Sequence, residues 1–199
     1  MTKLFFDVFP TLKMDEENRA LFQKVEVMKV TSTSAKDRIK VYISSTYLIP
    51  KKNIYMTERW IEEQLFGQSH IPVIIVEEFH LSDLYTPEHL LNEYRESILY
   101  ELEQHSVVER NMFQKAKVCF EEERILCLTL ADSIIAKGKA ESIVNYLQMI
   151  YEERFHMPIE VRVLYEKEKE SKYRKLGEMQ IQQEVDAIVE RNQSLREKH

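Results

Sequence analysis

The chain has 199 residues, 44% of them hydrophobic, which suits one large or two small domains around a packed core. Its formal charge of −6 excludes indiscriminate coating of nucleic acid, a mode that relies on many basic side chains releasing counterions. Three glycines and five prolines are too few for an all-β protein rich in tight turns. No apolar run reaches the length of a membrane span, and the start, MTKLFFDVFP, carries the wrong residue types for a secretory leader. A cytoplasmic protein is therefore expected, with Cys119 and Cys127 as thiols in small apolar sites or opposite each other across a hairpin.

In chain order, KVEVMKV and RIKVYI alternate apolar and polar residues about the turn TSTSAKD, the pattern of a β-hairpin. Pro50 closes the second strand. NIYMTERWIEEQLFG then sets Met56, Trp60, Ile61 and Leu65 on one helical face, with Gly67 as the stop. HIPVIIVEEF reads as a buried strand, with Pro72 at its start where a missing amide is tolerated. A long helical stretch follows from TPEHLLNEYRESILYELEQ, with Thr86 as cap and Pro87 in the first turn. KAKVCF and RILCLTL form a second hairpin around EEE. The next helix buries Ile143, Val144, Leu147, Ile150 and Tyr151, and MPIEVRVLYE closes the series as a strand alternating through Ile159, Val161 and Val163.

Pro72 and Pro158 hold matching places, so one plan occurs twice. The expected fold class is α+β: two tandem β-β-α-β, KH-like units, each preceded by a helix, over residues 1–85 and 86–170. Residues 171–199 are expected as a charged linker helix with a loose apolar stripe. It stops without a cap, as expected of the beginning of a longer chain.

The segment IIAKGKAESI has the lettering of a KH nucleic-acid loop. That device needs a Gly-x-x-Gly turn so that the backbone can approach the phosphates, and Ala136 and Lys139 hold the two glycine places here. Two readings stand: a degenerate binding loop, or a strand-to-helix turn with solvated lysines.

The hairpin VEVMKV…RIKVYI, the YLIP that ends it, the helix TERWIEEQLF, the strand IPVIIVEEF and the repeat ending in MPIEVRVLYE together resemble a known family. They are similar to the N-terminal region, domains I and II, of the PolC-type DNA polymerase III α subunit of low-GC Gram-positive bacteria. The resemblance implies a non-catalytic interaction region of a DNA-directed DNA polymerase, contacting replisome proteins, with a clamp-loader subunit as the expected partner and DNA as a further contact. A free-standing nucleic-acid-binding protein with two degenerate KH-like units is the alternative. The excess of acid in residues 86–170, 17 acidic against 11 basic side chains, disfavours a DNA grip there.

No catalytic, cofactor or metal residue is assigned. Polymerase and exonuclease centres cluster carboxylates about two metal ions, whereas Asp7, Asp15, Asp37, Asp83, Asp132 and Asp186 are scattered. His70, His80, His89, His105, His156 and His199 include no pair at i, i+4. Candidate contacts for a phosphate backbone or a partner are Lys36 and Arg38 at the first hairpin turn, Lys51 and Lys52 at the start of the first unit's helix, and Lys137 and Lys139 at the corresponding place in the second. Free amides at those two helix N-termini would favour anions.

Overall fold

The protein's structure, a computed structural model, describes residues 2–33 and 37–167. Strand β1 (Lys3–Leu4) runs into the short helix α1 (Phe5–Val8), and α2 (Glu16–Phe22) follows, its N-terminus capped by Asp15, whose carboxylate accepts from the Asn18 amide at 2.8 Å. The aromatic spacing of LFFDVF places Phe5 and Phe9 inward. The Phe5 ring lies 4.8 Å from that of Phe22 and 4.9 Å from that of Phe9, making an apolar plug for the first sheet.

Strands β2 (Glu26–Ser32) and β3 (Ile39–Ser45) form the expected antiparallel hairpin, with Val27 opposite Ile43 and Val30 opposite Val41. A bulge between Val27 and Lys29 resets the alternation. Helix α3 (Lys51–Leu65) carries the chain to β4 (Val73–Phe79), which pairs parallel to β3 from Ile39–Val73 to Ser45–Phe79. The sheet order is β1-β2-β3-β4. Pro72 stands just outside β4 and its carbonyl accepts from the Ile39 amide at 2.9 Å. The buried residues of α3 are Lys51, Asn53, Ile54, Thr57 and Ile61. This corrects the expected Met56–Trp60–Ile61–Leu65 stripe: Met56 and Trp60 are half-buried and Leu65 is exposed. The stripe is displaced because a lysine, an asparagine and a threonine are buried, which a hydrophobic pattern does not register. At the end of α3 a Cβ on Gly67 would stand 2.6 Å from the Glu63 carbonyl oxygen, so only glycine passes there.

As β4 is an edge strand, its outward amides need partners. Two are supplied by α3: Glu62 accepts from Val73 N and Glu58 from Ile75 N, each at 2.7 Å. These carboxylates block the edge against strand addition.

Helix α4 (Pro87–His105) starts as expected: the Thr86 hydroxyl accepts from the His89 amide at 3.2 Å and Pro87 opens the first turn. The helical stretch does not run on unbroken. Ser106 is extended, ends α4, and caps α5 (Val107–Lys115) by accepting from the Glu109 amide. Strands β5 (Lys117–Glu122) and β6 (Ile125–Ala131) pair antiparallel with Cys119 directly opposite Cys127; both are free thiols. Helix α6 (Ile134–Met149), capped by Ser133, buries Ala136, Ala140, Ile143 and Leu147 and widens into a π-helical segment, Ile150–Arg154. Strand β7 (Glu160–Glu166) completes a three-stranded sheet of order β5-β6-β7.

The fold is thus α+β with the β-β-α-β order present twice, as the sequence pattern predicts. One continuous apolar cluster runs from Phe5 to Ile159, and residues through Tyr165 form one compact unit. The predicted charged helix at 171–199 lies outside the described residues.

Candidate functional site

Along β4, Val73, Ile75, Glu77 and Phe79 share the inward phase and all four are buried. A carboxylate in that phase requires compensation. Lys51, at the first position of α3, provides it: Nζ lies 2.7 Å from Glu77 Oε1 and 3.5 Å from Glu101 Oε1 on α4. Arg154, from the π-helical segment, closes the group. Its Nε is 3.1 Å from Glu77 Oε1, and its two terminal nitrogens donate to the two Glu101 oxygens at 2.7 Å each, the fork-to-fork geometry special to arginine. The Tyr146 hydroxyl donates to Glu101 at 2.7 Å. Two acids and two bases, all under 9% exposed, therefore join α3, β4, α4 and the end of α6 into one neutral cluster.

Burial alone would raise the Glu101 carboxyl. The Arg154 hydrogen bonds and charge, with Lys51 and the Tyr146 hydroxyl, more than offset it and hold that carboxyl at about 2. Arg154 is pushed upward in turn: burial opposes its charge, but Glu77 and Glu101 outweigh the penalty. The cluster forms the floor of a cleft of about 350 Å³ whose walls include Met28, Tyr55, Glu58, His105 and Met149.

Glu58 at the cleft is pushed up to about 7, chiefly by burial, with Glu77 and Glu62 adding to the effect and the Ile75 amide and Lys51 charge opposing it. A carboxyl whose folded value exceeds its unfolded one costs nothing below pH ~4 and destabilises progressively as pH rises toward 7. Glu58→Gln keeps an oxygen for the Ile75 amide and removes the charge. It is expected to stabilise the protein by on the order of 2 kcal/mol at pH 8 and to leave it unchanged at pH 4, read by urea denaturation at the two pH values.

The sequence-derived contact residues distribute differently from expectation. Lys51 is 3% exposed and held by Glu77 and Glu101, and its amide donates to Ser97 Oγ at 3.0 Å, so the start of α3 is an internal junction and offers an anion nothing at that residue. Lys137 lies 2.6 Å from Asp132 and Lys139 3.3 Å from Glu109, while the Ser133 hydroxyl takes the Ala136 amide. Both lysines sit within helix α6 and not in a Gly-x-x-Gly turn. Lys52 and Arg38 are exposed, and Lys36 lies outside the described residues. Sequence reasoning missed Glu77, Glu101 and Arg154. The usable signal was Glu77, a charge at an inward position of an otherwise apolar strand; Arg154 in YEERFH gives none.

Among the described residues one group of side chains could hold a metal ion: Glu78, His80 and His156 offer donor atoms within 4.8 Å of one another.

Comparison with known proteins finds a likeness over about a third of the chain. Residues 4–75 match the DNA polymerase III polC-type N-terminus I family. No curated protein and no solved structure matches the chain. The matched segment spans α1, α2, the first hairpin and α3 and ends inside β4 at Ile75, so it contributes Lys51 to the buried cluster, while Glu77, Glu101 and Arg154 lie beyond it. Among the described residues no helix is long and apolar enough to cross a membrane.

Proposed function

We propose that the chain is a non-catalytic N-terminal interaction region of a PolC-type replicative DNA polymerase III α subunit, which tethers the DNA-directed polymerase to replisome proteins. The match of residues 4–75 to the polC-type N-terminus carries this reading. The chemistry at the floor of the cleft supports it: the four buried charges there satisfy one another, an arrangement that fixes structure. The reading of two degenerate KH-like units is disfavoured by the pairing of Lys137 with Asp132 and of Lys139 with Glu109.

Attachment requires exposed apolar side chains, and the starts of the packed helices α5 and α6 present them: Val107, Val108, Ile134 and Ile135, with Ile134 90% exposed. The expected partner is a clamp-loader subunit. In surface plasmon resonance with the purified subunit, the full chain is expected to bind at physiological salt and Ile135→Asp to weaken binding at least tenfold. Fluorescence anisotropy with labelled single strands is expected to show only salt-labile association. Salt-resistant DNA binding that falls in the Lys137→Glu, Lys139→Glu double variant, with no protein partner captured, would overturn the reading in favour of nucleic-acid recognition.

A further inference from the structure

We propose that Glu78, His80 and His156 form a binding site for one divalent transition-metal ion of the zinc class, linking the end of β4 to the turn that follows the π-helical segment. The two histidines are 76 positions apart in the chain, yet their rings stack at 5.2 Å between centroids with 16° between planes. Both direct Nε2 at the same oxygen, Glu78 Oε1, His80 from 3.3 Å and His156 from 2.5 Å. In tetrahedral zinc sites with bonds of about 2.0–2.2 Å, neighbouring donors stand roughly 3.4 Å apart. The His80–Glu78 separation already matches that spacing. The His156–Glu78 separation reaches it by an opening of less than about 1 Å, within the reach of a side-chain rotation.

The donors are held from beneath. Each histidine follows a buried phenylalanine, and the rings of Phe79 and Phe155 stack at 5.8 Å, so an apolar pair fixes the spacing of the imidazole pair above it. The His80 amide donates to the Ser45 carbonyl at 2.8 Å, which ties the strand end to β3. His156 takes φ 54°, the left-handed position that closes a helical segment, and this turns its side chain back toward β4. The imidazoles are about half exposed and Glu78 about a quarter, leaving an open approach and a fourth position for water. Two imidazoles and one carboxylate suit Zn²⁺ or Co²⁺; Mg²⁺ and Ca²⁺ prefer all-oxygen sets.

The test is calorimetric titration of the full chain with Zn²⁺, with visible absorption on Co²⁺ addition and thermal unfolding against Zn²⁺ concentration. One equivalent is expected to bind, giving an intense tetrahedral Co²⁺ spectrum and a melting temperature that rises with Zn²⁺. Glu78→Gln and His80→Ala are each expected to weaken binding at least tenfold and to abolish the rise. Cys119→Ser, which removes the other conceivable donor pair, is expected to change neither. Should His80→Ala fail to fold, His156→Asn serves, since asparagine tolerates the left-handed backbone. Absence of binding at submillimolar Zn²⁺, equal binding by the variants, or loss in Cys119→Ser in their place would overturn the proposal.

Discussion

Arg154→Met is expected to lower the free energy of unfolding by about 3–5 kcal/mol at pH 7, a large part of the roughly 5–15 kcal/mol that holds a domain together. Methionine fills the volume of the arginine stem, so the loss is electrostatic. Glu77 keeps Lys51 at 2.7 Å, but Glu101 is left with the Tyr146 hydroxyl and a lysine at 3.5 Å, and the buried cluster carries a net negative charge. The sign with pH follows from the position of Glu101. Its carboxyl is held at about 2 in the folded protein, below the unfolded value of about 4.3, so its contribution is complete above that value and fades as pH falls through about 2. In the variant the carboxyl has lost its strongest partner and accepts a proton at higher pH. The gap between wild type and Arg154→Met is therefore expected to be widest near neutrality and to narrow below pH ~4. Glu101→Gln combined with Arg154→Met restores neutrality and retains an acceptor for Tyr146. At least half of the lost stability should return in urea denaturation, as a buried neutral replacement does elsewhere. A single-variant loss below about 1 kcal/mol would mean that solvent already screens the cluster.

What could be read in the sequence and what could not divides along one physical line. Periodicity marks which side of an element is apolar, so β2, β3, β4, α4, β5, β6, α6 and β7 stand where alternation and helical spacing put them. Thr86 and Pro87 open α4 as their chemistry predicts, and the repeat anchored on Pro72 and Pro158 is the real order of elements. What hydrophobic spacing leaves out are features set by a partner elsewhere in the fold. Lys51 reads as a surface cation at the start of a helix because nothing within α3 announces Glu77 or Glu101. Lys137 and Lys139 read as free because their acids lie on another element or across the helix cap. The Glu78–His80–His156 group escapes a search for i, i+4 pairs because stacking two remote chain segments, and not helical repetition, brings it together. Ser106 breaks the long helical stretch because its hydroxyl serves the next helix, a competition that hydrophobic spacing leaves out.

Phe155→Ala is expected to cost about 3–5 kcal/mol, the range for emptying a large aromatic from a packed interior. The ring lies 5.8 Å from Phe79 on β4, 5.3 Å from Tyr94 on α4 and 5.6 Å from Tyr151 in the π-helical segment, and it is 4% exposed. Removing it opens a cavity that three elements border and none can fill alone, because Tyr151 is pinned by a hydroxyl bond to the Pro87 carbonyl at 2.7 Å. Phe155→Leu retains most of the volume and should lose only about 1–2 kcal/mol. The sequence repeat gives this variant a second use. Trp60, the chain's single tryptophan, sits on α3 in the first β-β-α-β unit, whereas Phe155 belongs to the second. If the apolar cluster from Phe5 to Ile159 unfolds as one body, the Trp60 fluorescence midpoint in urea must fall together with the far-ultraviolet circular dichroism midpoint in Phe155→Ala. A Trp60 transition that stays at its wild-type position while the dichroism splits in two would show that the repeat units melt separately. The aromatic contact between β4 and the π-helical segment would then be an interface between two domains, and the buried Lys51–Glu77–Glu101–Arg154 cluster would be its electrostatic clasp.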